Sequence, residues 1–506
     1  MDTARSGAPR TGETPIPLVD LDPANGAAAP AAVETHLSVV LLAGTRAYKF
    51  YKPVTFGFID ASTVERRREL CELEVAQNRR FSPDAYLGVV ALRDEAGQVH
   101  DHAVVMERLP ADRRLSTLLA GAEAEDALRA VAHRLATVHA ESPRPTDQAS
   151  EGTVDVVRSV WDDLLAGLRE HTGTVDASTI DRIATLAERY LAGRAPLFEH
   201  RAELGHVVDG HGDLLADDVY VLHDGVRLLD CLAFSERLRR GDVLADVAFL
   251  AMDVERLAGP TLARQLVEWY DEFSGENHPG TLAHHYVAQR AVVRAVVALL
   301  CAGQGNADAV GVARDLLGLA LDHLERSRVR LVLVGGPPGT GKTTVSEELA
   351  GAIGWTVLHS DDVRVELFGE ATDTEENPIG EGRYGEPEVD RVYEVMLERA
   401  ALLNGLGESV VLDASWGATR HRERARACAA ATATELIEFR CDAPLEVACE
   451  RITARRRRGD STSEATLEVA RALFARAAGE PWPEAFAIDT THELDLSVRS
   501  AVHRAR

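Results

Sequence analysis

Apolar and polar positions follow two different patterns along this chain. In its first hundred residues, short alternating runs predict strands at residues 35–42, 46–52, 86–92 and 103–107. Ser62 and Glu65 have the spacing of a capping box, which predicts a helix from there to about residue 80. Residues 116–324 are then mostly helical in pattern, interrupted by a predicted strand pair at 219–222 and 226–230.

A buried-strand signature at residues 329–334 begins the second pattern, in which strands alternate with helices. Further strands are predicted at residues 356–359, 409–412, 435–440 and 486–488, and a helix at 343–352. Such alternation is typical of a parallel, doubly wound sheet, because parallel strands need a crossover connection that is usually helical. The C-terminal domain, residues 329–506, is therefore predicted to contain this sheet.

The rest of the chain is predicted to form a separate domain of mixed α and β structure, residues 35–325. A chain of 506 residues is longer than one core usually supports, which favours two or three domains, and the two patterns predict a two-domain α/β protein. Residues 1–34 are rich in Pro, Ala and Gly with little periodicity, and this composition predicts a flexible tail.

Composition narrows the classes of function. A formal net charge of −26 disfavours broad attraction to nucleic acid, and six scattered cysteines without a CxxC pair indicate neither a zinc ribbon nor a disulfide framework. The most apolar stretch, residues 291–303, is interrupted by Arg294, which argues against a membrane span. Since no targeting pattern stands at the N-terminus, we expect a cytoplasmic protein. Its expected partners are small molecules. The oligomeric state is left open.

Lysine occurs at only three positions, Lys49, Lys52 and Lys342, although lysine and arginine together number 55. Because arginine serves almost everywhere else, the three lysines mark places where a compact ammonium is needed. Lys49 and Lys342 have sequence contexts typical of contacts with ATP phosphates, which predicts two nucleotide sites. Lys52 is interpreted as a solvent-facing neighbour of Lys49.

A glycine-rich loop separates the strand at 329–334 from the helix at 343–352. Its GxxxxGK[ST] spacing lets successive backbone N–H groups and the helix N-terminus bind the phosphates of a nucleotide. Lys342 is expected to bind the outer two phosphates, and the Thr343 hydroxyl to bind Mg²⁺. The predicted ATP contacts of this loop are Gly336, Pro337, Pro338, Gly339, Thr340, Gly341, Lys342, Thr343 and Thr344.

Carboxylates follow the C-terminal strands, at the ends where ligands gather in an open α/β sheet. Asp361 and Arg364 belong to a Ser-Asp-Asp-Val-Arg segment after the second strand, while Asp413 follows the third strand and Asp442 the fourth. Asp361 is a candidate general base for a hydroxyl acceptor, and Arg364 could hold the acceptor or the transferred phosphoryl group. Capping of a helix N-terminus is the alternative role for Asp361.

Arg451, Arg455 and Arg458 share one face of a predicted helix after the fourth strand. They could close over ATP and stabilise charge on the transferred phosphoryl group, or they could simply be solvated. With this segment and the adjoining residues 463–466, residues 329–506 resemble the small P-loop kinases related to polynucleotide kinase, gluconate kinase and zeta toxins. The resemblance implies transfer of the ATP γ-phosphoryl group to a hydroxyl, with Asp361 as base and Arg455 as lid arginine.

The N-terminal domain contains a second set of residues, in the order found in kinase-like lobes. A His-Gly-Asp segment ends at Asp213, which is a candidate base. Asp218 follows five residues later and Asp230 ends an apolar strand, so that both are candidate Mg²⁺ ligands.

Lys49, on a strand, and Glu74, on the next helix, could form the ion pair that positions a phosphate-binding ammonium, and Met106 would begin an adenine-binding hinge. With the His-Gly-Asp segment, these features make residues 35–325 resemble the aminoglycoside phosphotransferase superfamily, kinase-like enzymes that phosphorylate antibiotics, choline, sugars and other small alcohols. The resemblance implies a bilobal, protein-kinase-like α+β fold. One departure is Asp218, where the family usually has Asn, and its extra negative charge leaves a pseudokinase as an alternative.

Both domains together resemble bifunctional bacterial proteins that join an aminoglycoside phosphotransferase-like domain to a P-loop kinase domain. The leading hypothesis is an ATP- and Mg²⁺-dependent tandem phosphotransferase acting on hydroxyl groups of small molecules. Two alternatives remain: a C-terminal kinase regulated by a weak or inactive N-terminal domain, and a nucleic-acid 5′-hydroxyl kinase, which the acidic balance disfavours. The sequence does not identify the acceptor of either domain.

Overall fold

The computed structural model describes residues 31–35, 37–56, 59–303, 305–306, 308–369, 382–458, 467–491 and 494–505. The chain forms two compact units, one of residues 1–146 with 207–276 and one of residues 147–206 with 277–506. Residues 1–30 of the predicted tail lie outside the described residues, whereas Ala31–Glu34 forms a strand. The tail prediction is therefore wrong at its C-terminal end.

The strands are numbered in chain order. They are Ala31–Glu34 (β1), Ser38–Ala43 (β2), Arg46–Tyr51 (β3), Thr55–Phe56 (β4), Ile59–Asp60 (β5), Tyr86–Arg93 (β6), Val99–Glu107 (β7), Val207–Asp209 (β8), Val219–Leu222 (β9), Gly225–Leu228 (β10), Arg240–Asp242 (β11), Arg330–Gly335 (β12), Thr356–His359 (β13), Val410–Asp413 (β14), Glu435–Asp442 (β15) and Phe486–Asp489 (β16).

The α-helices are numbered in the same way. They are Val64–Asn78 (α1), Leu115–Leu118 (α2), Ala124–Glu141 (α3), Gln148–Glu151 (α4), Val154–Arg169 (α5), Ala177–Ala192 (α6), Ala195–Glu203 (α7), Glu236–Arg239 (α8), Val243–Ala258 (α9), Pro260–Ser274 (α10), Gly280–Gly303 (α11), Ala309–Arg326 (α12), Lys342–Ile353 (α13), Ser360–Phe368 (α14), Glu386–Gly405 (α15), Thr419–Ala431 (α16), Leu445–Arg458 (α17), Leu467–Gly479 (α18) and Leu494–Ala505 (α19).

The first unit is built on a five-stranded antiparallel sheet with strand order β1-β2-β3-β7-β6. Ala47 of β3 and Val104 and Met106 of β7 form one apolar cluster with Cys71 and Val75 of α1. This packing fixes α1 against the sheet face, so that side chains of β3 and α1 can meet. A sheet with one packed helix, followed by α3, α9, α10 and short strand pairs, agrees with the predicted kinase-like α+β fold.

Helix α1 begins one residue later than the capping-box pattern predicts. Thr63 rather than Ser62 is the N-cap, and its hydroxyl oxygen accepts a hydrogen bond from the Arg66 N–H. The Ser62 hydroxyl instead donates to the Asp60 carboxylate at 2.6 Å. Ser62 and Thr63 are both residue types that favour the N-cap position. Because Ser62 is bound to Asp60, Thr63 caps the helix.

The second unit contains a five-stranded parallel sheet with strand order β13-β14-β12-β15-β16. All residues of the central strand β12 are buried, which explains the apolar run at residues 331–334. Leu331 and Leu333 pack on one face with α15 and α16, while Val332 and Val334 pack on the other with α13 and α19. The predicted doubly wound sheet is therefore confirmed.

Helical segments that precede this sheet in the chain belong to the same compact unit. The Arg194 side chain is almost fully buried, and its guanidinium donates to the main-chain carbonyls of Asn404 and Thr432 at the ends of α15 and α16. The Thr281 hydroxyl donates to the Gly407 carbonyl at 2.6 Å. The compact units thus divide the chain differently from the two predicted domains, 35–325 and 329–506. The boundary between these domains stays a prediction.

Helix α11 is long and apolar enough to cross a membrane by length and composition alone. Core helices of soluble proteins meet the same criterion, so this is weak evidence for a membrane span. In the second unit, α11 packs against α12 and α5, and His285 and Val292 on it are fully buried. This packing accounts for the apolar residues of α11 that are buried, while others on the helix are only partly buried.

Candidate active sites

The loop between β12 and α13 has a backbone shape that depends on its glycines. Gly336, Gly339 and Gly341 have φ angles of 142°, 83° and 88°, in the range that other residues rarely adopt. A Cβ atom on Gly339 would lie 2.6 Å from the carbonyl oxygen of Ala448. The loop leads directly into α13, whose first residue is Lys342. This arrangement matches the predicted phosphate-binding loop.

Arg451 and Thr490 support the main chain of this loop. The Arg451 guanidinium donates to the Thr490 carbonyl at 2.7 Å and to the Gly339 carbonyl at 3.4 Å. The Thr490 hydroxyl donates to the Thr340 carbonyl at 2.6 Å. Arg451 therefore contacts the loop itself, and its predicted contact with ATP stays a prediction. Thr490 was not found from the sequence, because it lies far along the chain without a motif of its own.

Thr343, Asp413 and His359 form a hydrogen-bonded group beside the loop. Oδ2 of Asp413 accepts the Thr343 hydroxyl at 2.7 Å and lies 2.9 Å from Nδ1 of His359. Burial alone would raise the pKa of Asp413, but these two bonds and the charge of Lys342 lower it below its usual value. The same hydrogen bond raises the pKa of His359. Asp413 is thus held as a carboxylate.

This group fits the Mg²⁺ ion that a phosphate-binding loop requires. Oδ1 of Asp413 is buried and has no hydrogen-bond partner in the described part of the chain. Carboxylate and hydroxyl oxygens are the ligands that Mg²⁺ prefers, bound directly or through water. Sequence analysis assigned the metal in this domain to Thr343 alone. The structure adds Asp413, which had been noted only as a carboxylate at a strand end.

Asp361 and Arg364 form an ion pair within α14. The helix begins at Ser360 and its N-cap is His359, so the alternative N-cap role of Asp361 is wrong. Arg364 is 9% exposed, its Nε is buried without a hydrogen-bond partner in the described residues, and its guanidinium lies 4.9 Å from the Tyr384 ring centre. Both side chains follow β13 and therefore lie at the same sheet edge as Asp413.

The remaining charged residues of the C-terminal prediction have different surroundings. Arg455 lies on α17 one turn after Arg451 and is partly exposed. The Arg458 side chain and residues 463–466 lie outside the described residues, so the predicted lid stays a prediction. Asp442 is bound by both nitrogens of the Arg440 fork, each at 2.8 Å, and its charge is therefore balanced within β15.

The N-terminal site is centred on the predicted pair of Lys49 and Glu74. Lys49 Nζ lies 2.8 Å from Glu74 Oε1, and the same ammonium also binds the Asp230 carboxylate. Lys49 is 7% exposed and Glu74 is fully buried. Burial would lower the pKa of Lys49, but the charges of Asp230 and Glu74 outweigh it and hold the pKa well above its usual value. The ammonium is therefore charged and doubly paired.

Two tyrosines that sequence analysis did not select hold this pair. The Tyr51 hydroxyl donates to Glu74 Oε2 at 2.7 Å. The backbone N–H of Asp230 donates to the Tyr86 hydroxyl at 2.9 Å. Asp230 has a φ of 63°, in the left-handed region that few residues other than glycine adopt. Such a conformation persists where surrounding contacts fix it, and these contacts do so.

The loop that carries Asp213 is fixed by Asp246 of α9. The Asp246 carboxylate accepts the backbone N–H of His211 at 2.5 Å and that of Gly212 at 2.9 Å. A Cβ on Gly210 would lie 2.3 Å from Oδ2 of Asp246, so a larger residue before His211 would have to displace this carboxylate. Asp246 is 4% exposed, so this contact is shielded from solvent.

Asp218 lies close to the other two acidic residues of this site. Its pKa is raised well above the usual value, first by burial and then by the negative charges of Asp230 and Asp213. The three carboxylates that were predicted from their spacing are thus brought together. Oxygen ligands of this kind fit Mg²⁺, and the binding of a cation would relieve their mutual repulsion.

Met106 lies near the end of β7, opposite Ala47 and Tyr86 of the neighbouring strands, and is 8% exposed. The chain leaves the sheet after Glu107, whose N–H donates to the Ala85 carbonyl at 2.9 Å. This position agrees with a hinge that follows the sheet. The adenine contact of Met106 stays a prediction.

Together, the fold and these sites define a protein with an N-terminal α+β unit, which contains a kinase-like Lys49–Glu74 pair, and a C-terminal P-loop domain built on a parallel sheet. Residues 331–479 match the family model described as an AAA domain. The chain is 40% identical over 473 residues to the uncharacterized protein Rv2004c of Mycobacterium tuberculosis, covering 93% of this chain and 94% of that one. An uncharacterized protein of Mycobacterium bovis matches to the same extent. The chain belongs to the family of these mycobacterial proteins.

Solved structures resemble the two parts separately. A choline/ethanolamine kinase family protein from Mesorhizobium loti is 13% identical, covers 59% of this chain and 93% of its own, and has a TM-score of 0.36. A gluconokinase from Sinorhizobium meliloti is 21% identical, covers 35% of this chain and 90% of its own, and has a TM-score of 0.25.

Proposed function

We propose that the C-terminal site is an ATP- and Mg²⁺-dependent kinase that phosphorylates a hydroxyl group of a small molecule. The observation that carries this proposal is the placement of Asp413 against Thr343 of the phosphate-binding loop, one strand away from the Asp361–Arg364 pair. One side of the sheet edge thus has the groups for nucleotide and metal, and the other has a carboxylate and a cation for the acceptor.

The reaction assigns a separate task to each side chain. Asp361 accepts the proton of the acceptor hydroxyl as that oxygen forms a bond to the γ-phosphorus, while the bond between this phosphorus and the β–γ bridging oxygen breaks and ADP leaves. Lys342 and Arg364 balance the charge of the transferred group, and Arg455 is the proposed lid arginine. Thr343 and Asp413 would hold Mg²⁺, which would neutralise part of the charge on the phosphates.

We also propose that the N-terminal site is a second phosphotransferase of the same reaction class. Lys49, positioned by Glu74, would bind phosphate oxygens, and Asp213 would accept the hydroxyl proton. Asp218 and Asp230 would hold Mg²⁺. The support comes from the buried Lys49–Glu74 pair and from the raised pKa of Asp218, which reflects burial and the nearby charges of Asp230 and Asp213.

Two observations favour a second candidate, in which the N-terminal site senses nucleotide and regulates the C-terminal kinase. Asp230, the proposed metal ligand, already pairs with Lys49 through one carboxylate oxygen, which weakens its attraction for a cation. Asp218 adds a charge where related enzymes have a neutral amide. Replacing Asp218→Asn distinguishes the candidates: a large gain in transfer by the N-terminal site indicates a site weakened by this charge, and an unchanged rate opposes that explanation.

The decisive experiment incubates the full chain with γ-labelled ATP, Mg²⁺ and pooled metabolites, and follows label transfer to organic products. Asp361→Ala should abolish products of the C-terminal site, and Asp213→Ala should abolish those of the N-terminal site. Lys52→Ala is the matched control, since Lys52 binds Glu34 at the surface. If both aspartate variants transfer label as the unchanged chain does, the tandem kinase proposal is wrong.

The class of acceptor is tested in the same assay. We propose that the acceptor is a small alcohol, because the net charge of −26 disfavours a polyanionic acceptor. We also propose that the protein acts in the cytoplasm. An oligonucleotide with a 5′-hydroxyl serves as the comparison. Efficient transfer to this oligonucleotide, inhibited steeply by salt, would contradict a small-molecule acceptor and favour a nucleic-acid 5′-hydroxyl kinase.

A further inference from the structure

We propose that His359 is a positioning residue of the C-terminal site, which orients Asp413 toward Mg²⁺ and links it to the base Asp361. This inference rests on the proposed kinase function of the same site. His359 belongs to none of the motifs considered in the sequence. Its assignment comes from its contact with Asp413 and from its position between β13 and α14.

Strand register brings the two residues together. His359 is the last residue of β13 and Asp413 the last of β14, and the two are direct partners across the parallel pair. Nδ1 of His359 lies 2.9 Å from Oδ2 of Asp413, which implies that Nδ1 carries a hydrogen and donates it. Neighbouring parallel strands end side by side, so this contact is built into the sheet.

The bond from His359 restricts Asp413 to one orientation. Oδ2 accepts two hydrogen bonds, from Thr343 and from His359, and Oδ1 is left buried without a partner in the described residues. A carboxylate held by one oxygen presents the other in a fixed direction. Outer-shell partners of this kind usually contribute a factor of 10–100 to metal affinity or activity. His359 is therefore expected to act on the metal through Asp413.

His359 also connects the two halves of the site. It is the N-cap residue of α14, and Asp361 follows two residues later. The imidazole holds the end of β13 to the end of β14, so the carboxylate on the metal side and the base on the acceptor side share one anchor. Loss of the imidazole should therefore affect turnover as well as the Mg²⁺ requirement.

The test compares His359→Ala with His359→Asn, because an asparagine Nδ2 can donate from nearly the position of the imidazole Nδ1. Both changes are made in a chain with Lys49→Met, which removes the N-terminal phosphate contact. Mg²⁺ is titrated against thermal stabilisation by a non-hydrolysable ATP analogue, and separately against turnover. His359→Ala should raise the half-maximal Mg²⁺ concentration by about tenfold or more, and His359→Asn should restore most of the loss.

Three results would decide against this role. An unchanged Mg²⁺ titration in His359→Ala overturns it, as does an equal shift in both variants. The third result comes from a double variant that combines His359→Ala with Asp413→Asn. If the two substitutions shift the half-maximal Mg²⁺ concentration independently, so that their effects add fully, then His359 does not act through Asp413. If the analogue binds with Mg²⁺ but no label is ever transferred, the proposed kinase function fails while the role of His359 remains measurable.

Discussion

The Tyr51 hydroxyl lies 2.7 Å from Oε2 of Glu74, and the other carboxylate oxygen of Glu74 lies 2.8 Å from Nζ of Lys49. Both oxygens of this fully buried carboxylate are therefore satisfied by side chains of one strand, β3. Lys49 and Tyr51 point to the same sheet face because they are two residues apart. Glu74 is held from two sides, which fixes the ammonium that it positions.

Replacement of Tyr51 by Phe should destabilise the first unit by about 1–3 kcal/mol, because it leaves a buried carboxylate oxygen without a donor. Urea unfolding of the full chain measures the change, and the affinity of the N-terminal site for ATP should fall as Lys49 loses its fixed partner. Tyr48→Phe is the matched control. The Tyr48 hydroxyl is buried on the same strand without a partner in the described residues, so its removal should cost little or nothing. Equal effects of the two changes would contradict the assigned role of Tyr51.

Lys342→Ala should lower Mg²⁺-dependent ATP turnover at the C-terminal site by a factor of about 10²–10³, the size expected for loss of one group that stabilises charge in the transition state. Thermal stability without nucleotide should change little, since Lys342 is at the first position of α13 and not in a core cluster. Lys52→Ala should leave turnover unchanged. The measurement is steady-state ADP release, and unaltered turnover in Lys342→Ala would disprove the phosphate contact.

Arg194→Ala should destabilise the second unit by about 2–4 kcal/mol. The change removes buried hydrogen bonds to the carbonyls of Asn404 and Thr432 and leaves a cavity at the ends of α15 and α16. Arg189→Ala, an exposed arginine on the preceding helix, provides the control and should have a small effect. Chemical unfolding followed by tryptophan fluorescence measures both.

A fragment of residues 329–506 tests the same contact in another way. It lacks Arg194 and Thr281, and we expect it to unfold at lower urea concentration than the full chain. A fragment as stable as the intact protein would show that the helical segments contribute nothing to this unit.

Stability should fall in mild acid because of His285. Burial lowers the pKa of this imidazole to about 3, while Trp161 donates its indole N–H to Nε2 at 3.0 Å and Tyr190 stacks on the ring. Below a pH of about 6.5 the unfolded chain binds a proton that the folded chain refuses, so the folded state loses about 1.4 kcal/mol per pH unit from this group.

The change His285→Gln should reduce this loss, since an amide oxygen can accept the indole N–H without titrating in this range. The urea concentrations at the unfolding midpoint, determined at pH 7.5 and at pH 5.5, measure this loss of stability. The difference between the two pH values should be smaller in the variant than in the unchanged chain, and an identical difference would exclude His285 as its source.

Patterns local in the sequence predicted much of both sites. The phosphate-binding loop, the parallel sheet and the Lys49–Glu74 pair all follow from periodicity and spacing, because a loop or an alternating strand determines its own geometry. The three N-terminal carboxylates were likewise selected from their order along the chain.

Contacts set by strand register or by distant packing could not be predicted in this way. His359 meets Asp413 only because β13 and β14 are neighbours, and 54 residues separate them. Arg194 meets Thr432 across 238 residues, and nothing near either one indicates the contact. The one-residue error at the start of α1 arose because Asp60 engages Ser62. In each case the deciding partner lies outside the local sequence pattern.

The scarcity of lysine has a practical consequence. Apart from the terminal amine, an acylating reagent finds three targets, and the structure ranks them: Lys49 is buried between two carboxylates, whereas Lys52 and Lys342 are more accessible. Mass spectrometry of three tryptic positions would then read out occupancy, since a nucleotide that shields Lys342 leaves Lys52 reactive. Footprinting of this kind could screen candidate ligands of the C-terminal site before any product is known.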